Sequence, residues 1–283
     1  MKKVIITGAS GFVGTALQNM FTQDGYEVIA VQREQLKDES ALLSLVEGSY
    51  AIINLAGANI INRWSDEYKK LLYSSRLDTT KAIVNAIQKS QTKPKILFST
   101  SAVGVYKNDK FYDETTTDLA DDFLANLCKD WENEALKAKE FGVRVSIFRF
   151  GIVMGEGGAL GKMLLPFKLG VGGTIGDGKQ AFSFIHILDL LNAYRFVLEN
   201  DTLEGIFNLT APKPTSNYQL TKALGKYLHR PTFLPVPAFM LNIIFSEGAK
   251  VLTDGQSALP TKLLENGFVF EYEDIEKTIK NLV

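Results

Sequence analysis

Gly8, Gly11 and Gly14 fall at G-x-x-G-x-x-G spacing directly after the apolar run Val4-Ile5-Ile6-Thr7 and inside the start of an amphipathic helix. Those residue types at that spacing suit the phosphates of a dinucleotide. Gly8 permits a sharp turn, Gly11 lets backbone approach a pyrophosphate without a Cβ, and Gly14 lets the helix pack close to the sheet. Ala9, Ser10, Phe12 and Val13 complete the loop, whose free N–H groups and helix dipole favour negative charge. A second run, Val28 to Val31, ends at Gln32-Arg33, with no acidic residue where a ribose 2′-hydroxyl would need one. A guanidinium there pairs with a 2′-phosphate, or else it faces solvent. A third run ends in Leu55 and the small residues Ala56-Gly57, against which a dinucleotide can lie. Arg76 is placed either to reach a cofactor phosphate or as a solvated charge. Ser101 ends a fourth run, where it either bonds a substrate oxygen or caps its own strand. Tyr106 is the phenol just beyond it.

These residues need a scaffold, and the chain alternates strand and helix patterns to supply one. Ala16, Leu17, Met20 and Phe21 share a helical face closed by Gly25. Gln35-Leu36-Lys37 reads as a stunted third strand, and a helix spans about 40–47. Ala51 to Gly57 is a buried strand, 59–75 a polar and aromatic stretch, and 78–87 a helix. Ile96 to Ser101 is the next strand, and a helix over about 121–140 carries the stripe Phe123, Leu127, Trp131 and Ala135. Val143 to Phe148 follows. Alternation of this kind predicts a doubly wound parallel sheet of the Rossmann type, with helices on both faces. From Gly151 glycine becomes dense, and 155–178 reads as loops around a short apolar piece at 163–167. Phe184 to His186 and a helix through Tyr194 return to the main sheet. The division expected is 1–220, with a substrate-side insert at about 151–180, and a smaller C-terminal lobe at 235–283.

Composition narrows the partners. With 46% hydrophobic and 22% charged residues the chain is globular, and a net charge of −1 offers no basic field for nucleic acid or anionic membrane. A single cysteine, Cys128, and two histidines argue against disulfides and against a zinc site. No apolar run reaches membrane-spanning length. The expectation is a cytoplasmic protein with a small-molecule substrate, no metal, and a homodimer as the oligomer to test.

The ordered set Thr7 to Gly14, Asn54-Leu55-Ala56-Gly57 and Ser99-Thr100-Ser101-Ala102 resembles the extended short-chain dehydrogenase/reductases, which include sugar-nucleotide epimerases and dehydratases. Arg63-Trp64, Ser75-Arg76, Trp131-Glu132, Gly157 to Leu160, Ile185 to Asp189, Leu228 to Pro231 and Gly267 to Phe270 are similar to the atypical "epimerase family protein" branch. The resemblance spans nearly the whole chain and implies NADP(H). It also places Ser99 and Val153 beside the cofactor. Typical members carry Tyr-x-x-x-Lys on the helix after the serine strand, where the ammonium lowers a phenol pKa otherwise near ~10. This chain has no tyrosine on that helix; Leu127 or Cys128, and Trp131 or Glu132, stand at the matching height, and Cys128 with Glu132 would be a poor pair, because a carboxylate raises a thiol pKa. Tyr106…Lys110 lies in a turn-forming stretch, and Tyr218…Lys222 lies far along the chain, where Tyr218 is expected to pack. Arg149 reads as a substrate-anion contact or one half of an ion pair, His186 with Asp189 as loop-orienting residues, and Trp131 as core. Two functions follow: an NADP(H)-dependent oxidoreductase or epimerase-like enzyme on a small or nucleotide-linked substrate, polarised by Ser101 and Tyr106, or a catalytically inactive NADP(H)-binding sensor or scaffold.

Overall fold

The computed structural model describes residues 1–283, the side chain of Lys162 excepted. Six parallel strands form the central sheet: β1 (Lys3–Thr7), β2 (Glu27–Val31), β3 (Ala51–Asn54), β4 (Ile96–Ala102), β5 (Arg144–Phe150) and β6 (Gly205–Leu209). Their order is β2-β1-β3-β4-β5-β6. The order reverses between β1 and β3, and their carboxyl ends open the crevice in which such sheets bind ligands.

Alternation along the strands explains why both faces are covered. Val4, Ile6, Ile53 and Phe98 point into one apolar cluster, shared with Leu17, Met20 and Phe21 of α1 (Phe12–Gln23). Ile5, Ile52, Leu97 and Val145 point the other way. On that face they meet α3 (Glu39–Val46), α4 (Asp66–Lys89) and the end of α5 (Phe123–Leu136). A strand buried on both sides has few polar positions, as these sequences show.

Four local expectations are corrected. Gln35-Leu36-Lys37 is not a strand but part of α2 (Arg33–Lys37), started by a capping box in which Gln32 and Gln35 bond each other's backbone N–H groups. The polar stretch before 78 is largely helix, because Ser65 caps α4 by accepting from Tyr68 N, and the helix then runs 24 residues. The glycine-dense insert contains α6 (Gly158–Lys168), since Gly157 takes a φ of 110° and frees the chain to start a helix there. Phe184–His186 pairs with Ile152–Met154 in a separate two-stranded sheet rather than joining the main one. The helix after it, α7 (Ile187–Glu199), does pack on the main sheet through Leu190, Ala193, Tyr194 and Val197.

The chain then forms α8 (Asn217–Leu228) and α9 (Ala238–Phe245), and closes with α10 (Ile275–Leu282). Leu263, Phe268 and Phe270 of the C-terminal segment enter the same cluster as α1 and α7, while Ile275 and Ile279 pack with α8 residues such as Leu224. Asp189 ties this segment down, accepting from the backbone of Glu271 and Tyr272, each at 2.8 Å. His186 caps α7, bonds Asn281 and stacks on Tyr272 at 3.7 Å, so the loop-orienting expectation for this pair matches the contacts. Tyr218, expected to pack, is 51% exposed beneath the Lys222 ammonium. No helix among the described residues is long and apolar enough to cross a membrane.

Candidate active site

At the β1–β3 switch point lies a cavity of about 760 Å³ running from the glycine loop to the end of β4 and on toward the C-terminal segment. Gly8 shapes its floor. Its φ is +65°, and a Cβ there would stand 2.9 Å from the Leu55 carbonyl, so the loop and the β3 end are in backbone contact. Gly14 is tighter still, since a Cβ would lie 2.4 Å from Gly8 O. Helix α1 therefore begins directly beneath the loop, at Gly11, with no side chain capping its first amides. Those amides face the cavity and are free to meet an anion.

A buried hydrogen-bonded column holds the β3 end in place. Thr7 donates to Asn54 Oδ1 at 2.7 Å and accepts from Leu55 N and Ala56 N. Asn54 Nδ2 donates to Thr80 Oγ1 at 2.8 Å, and Trp131 Nε1 donates to the same oxygen at 2.9 Å. Thr80 gave no signal in the sequence and Thr7 stood only as the end of the first run, because the bonds they make depend on a helix and two strands meeting.

Arg76 projects from α4 against Gly57, where a Cβ would be 2.9 Å from its Cζ. Its guanidinium donates to the carbonyls of Ala58 (3.0 Å) and Leu72 (3.2 Å) and lies 5.3 Å from the Trp131 ring. Burial holds its pKa below the ordinary value, and no carboxylate among the described residues pairs with it. A desolvated cation with carbonyl partners alone leaves room for an anion from outside the chain.

The expected binding residues divide into two groups. Gly8, Gly11, Phe12, Val13, Gly14, Leu55, Gly57, Arg76 and Val153 line the cavity together with Ser101 and Tyr106. Ala9, Ser10, Gln32, Arg33, Ala56 and Ser99 do not. Ala9 is buried, its carbonyl accepting from Gln18 Nε2, and Ser10 is exposed at the loop tip. Gln32 and Arg33 stand in solvent at the end of β2, Arg33 with no ion-pair partner among the described residues. Ser99 is buried in the sheet with its hydroxyl unpaired among the described residues.

Beyond the floor, β4, β5 and α5 build a closed polar cluster. Ser101 Oγ donates to Glu132 Oε1 at 2.6 Å. Arg149 grips that carboxylate with two bonds, Nε to Oε1 at 2.8 Å and Nη2 to Oε2 at 2.7 Å. Its remaining nitrogen, Nη1, donates to Tyr106 Oη at 2.8 Å. The Tyr106 proton goes toward Asn208 Oδ1 (3.0 Å) and the Asp113 carbonyl (3.1 Å). Glu132 and Arg149 are each at least 94% buried. The carboxylate raises the Arg149 pKa despite burial, and burial raises that of Tyr106. Of the two alternatives for Arg149, the ion pair is the one formed. Ser101 does not cap its own strand end, since its proton is held by a side chain on α5.

At the height where typical members bear Tyr and Lys one helical turn apart, α5 has Leu127 or Cys128 and then Trp131 or Glu132. Burial, followed by the Glu132 charge, pushes the Cys128 thiol up to about 11, so it is a neutral S–H at physiological pH. Tyr106 is no substitute phenol on a helix. It follows the short turn Val103–Val105, with a bend rather than a helix before Lys110. Glu132 appeared in the sequence only as a misplaced acid, and its partner on β5 could not be inferred without the parallel register that sets Ser101 beside Arg149.

Comparison with known proteins agrees with this geometry. The model of the NAD dependent epimerase/dehydratase family matches residues 4–210, and a domain of unknown function, DUF1731, matches 236–282. The epimerase family protein YfhF of Bacillus subtilis is 36% identical over 295 residues, covering 99% of this chain and 97% of its own. A chloroplastic SDR39U1 homolog of Arabidopsis thaliana is 36% identical, covering 99% of this chain and 86% of its own. The crystal structure of human SDR39U1 (isoform 2) with NADPH superposes with a TM-score of 0.91 at 32% identity, covering 99% and 98% of the two chains. Glycine cradle, switch-point crevice and full-length similarity together place this chain in the NAD-dependent epimerase/dehydratase family, on its epimerase-family-protein branch of the atypical short-chain dehydrogenase/reductases.

Proposed function

We propose that this protein is an NADP(H)-dependent oxidoreductase or epimerase-like enzyme. The observation that carries the reading is the single cavity joining the glycine cradle to Ser101. Human SDR39U1, similar over its whole length, was crystallised with NADPH. The residues present fit that group. The uncapped amides of α1 and the Gly8–Gly11 turn would hold its pyrophosphate, Gly57 would give the dinucleotide a flat backbone to lie on, and Arg76 would supply an unneutralised positive charge beside it. Arg33, free at the β2 end, would meet the 2′-phosphate.

When bound, NADP(H) supplies or accepts a hydride at C4 of its nicotinamide. The protein contributes position and the handling of one proton. Because Ser101 commits its hydrogen to Glu132, it offers the cavity lone pairs, and so it orients a hydroxyl on the reacting carbon. In the oxidation direction Ser101 Oγ takes that hydroxyl proton as its own passes to Glu132 Oε1. Reduction is the reverse. Tyr106 does not touch substrate in this scheme. It steadies Arg149, which fixes the Glu132 carboxylate.

One observation favours the second reading, an NADP(H)-binding sensor or scaffold without turnover. Two charge-assisted bonds from Arg149 already occupy both carboxylate oxygens of Glu132, so the partner of Ser101 is committed to an ion pair. Calorimetry and a turnover screen decide. NADPH should bind at least about ten-fold more tightly than NADH, roughly 1.4 kcal/mol, with Arg33→Ala erasing the difference. Ser101→Ala should lower turnover about 10²–10⁴-fold at unchanged NADPH affinity. Tight NADPH binding with no turnover across carbonyl, alcohol and sugar-nucleotide panels selects the sensor reading. Absence of nucleotide binding defeats both.

A further inference from the structure

Past Ser101 the cavity changes character. One wall is made by Trp64, Phe123, Leu124, Leu127 and Val251, with Trp131 at the boundary of the cofactor end. All but Trp131 belong to one packed apolar cluster, in which Trp64 and Phe123 lie 5.1 Å apart. The polar handles of these aromatic side chains are used inside the protein. Trp64 Nε1 donates to Ile60 O at 3.0 Å and Trp131 Nε1 to Thr80 Oγ1, so both indoles show the cavity carbon surface. Tyr106 and Ser101 have likewise given their protons to buried partners.

The charges bordering this end do not suit a phosphorylated ligand. Apart from Arg76 beside the cofactor floor, the lining holds two lysines, Lys107 and Lys250, against four carboxylates, Asp121, Asp122, Glu247 and Asp254. Lys107 is already paired with Asp118, Glu247 with Lys69 and Asp121 with Lys129 at 3.9 Å, which leaves Lys250 beside Asp122 and Asp254. A nucleoside diphosphate carries two or more negative charges and calls for cations or helix amides at its phosphates. The strongest helix start nearby, that of α5, is occupied by its own cap, with Asp122 accepting from Ala125 N at 2.9 Å. The lining also includes a wall of uncharged amides, Gln180, Asn217 and Gln256. Helix α6, which gives Ala159 and Met163 to the lining, exposes Leu165 and ends at the exposed Leu169, and α9, which exposes Phe239 and Ile243, precedes the lining residues Glu247, Lys250 and Val251.

We propose that the substrate is an uncharged, predominantly apolar alcohol or carbonyl compound of fused-ring or similar bulk, and not a sugar nucleotide. This rests on the oxidoreductase reading and names the substrate class for that same site. The carbon skeleton lies against Trp64, Phe123, Leu124 and Leu127, the oxygen at Ser101, and any minor polar group at the amide wall.

The test uses the full chain saturated with NADP⁺ and the chain's own two tryptophans, both of which line the cavity. The probes are 2-decalol, an apolar alcohol transparent where tryptophan is excited, and UDP-glucose. A saturable initial change in tryptophan fluorescence with 2-decalol, at an affinity at least ten-fold above that for UDP-glucose, supports the proposal. Leu124→Gln should then weaken 2-decalol at least ten-fold, while retained NADP⁺ affinity reports a folded protein. UDP-glucose binding as tightly as 2-decalol, or neither probe binding, overturns it. Failure of the parent reading looks different. Apolar ketones and alcohols would then bind at the tryptophans, yet none would oxidise NADPH or reduce NADP⁺.

Discussion

Replacing Glu132 with alanine removes one partner of a buried ion pair and leaves Arg149 charged, 2% exposed, with its Nε and Nη2 donors unanswered. Ser101 also loses the acceptor for its hydroxyl. Breaking a buried pair on one side costs about 3–5 kcal/mol, most of it the penalty of an uncompensated charge. For a chain of this length 1 kcal/mol is roughly 2 °C in Tm, so Glu132→Ala should melt roughly 6–10 °C lower. Removing both charges with an apolar pair, Glu132→Leu with Arg149→Met, should recover most of that loss, because well-packed apolar replacements of buried pairs are often neutral. NADPH affinity should stay near wild type in the double variant, since neither residue lines the cavity. Urea denaturation gives the free energies and calorimetry the affinities. A Glu132→Ala cost below about 1 kcal/mol would refute the network as drawn, and would mean water reaches Arg149.

Gly11→Val should abolish nucleotide binding while the fold persists, because a Cβ at that position already sits 3.3 Å from Gly8 O and its branches would fill the phosphate space; normal NADPH binding by calorimetry would move the phosphate elsewhere. Cys128, raised from 9.0 to about 11, should hold roughly a hundredth of the thiolate of an ordinary cysteine near neutral pH. Its alkylation by iodoacetamide should therefore be at least about a hundred-fold slower in the folded than in the urea-unfolded chain, read by mass spectrometry. Asp274 caps α10 by accepting from Lys277 N at 2.8 Å, and that bond, with Lys213 nearby, holds its carboxyl below the usual range. A lowered folded pKa stabilises above the unfolded value, so Asp274→Ala should cost about 1 kcal/mol at pH 7. The difference from wild type should vanish as pH falls through the folded pKa, tracked by urea midpoints.

How far the sequence could be read depended on whether a feature was local. The β1 glycine turn, the alternation of strand and helix and the two-faced core follow from patterns within a few residues, and Val4 to Gly14 carries most of them. Helix α4 was half hidden because its first two turns are polar and aromatic, and its start depends on a Ser65 cap rather than on apolar periodicity. Residues 35–37 resembled a strand only by analogy with a neighbouring pattern, while the capping box of Gln32 and Gln35 was there to be read. The end of the cavity at Ser101 was the least legible. Cys128 and Glu132 announced that the usual pair is missing, but what replaced it joins residues 101, 106, 132, 149 and 208, contributed by three strands, one helix and one turn. Such a cluster exists only after the parallel register is set.

The hold that Asp189 keeps on the C-terminal segment has an evolutionary side. Its carboxylate reads two backbone N–H groups, which every residue but proline possesses, so the tie is blind to the side chain at position 271. In a saturation library, position 271 should accept nearly any residue except proline, whereas position 189 should accept almost none. The clasp thus places its whole mutational burden on one residue of the nucleotide-binding part. The segment that closes the far end of the cavity stays free to vary, and the family can retune what it admits without loosening what holds it shut.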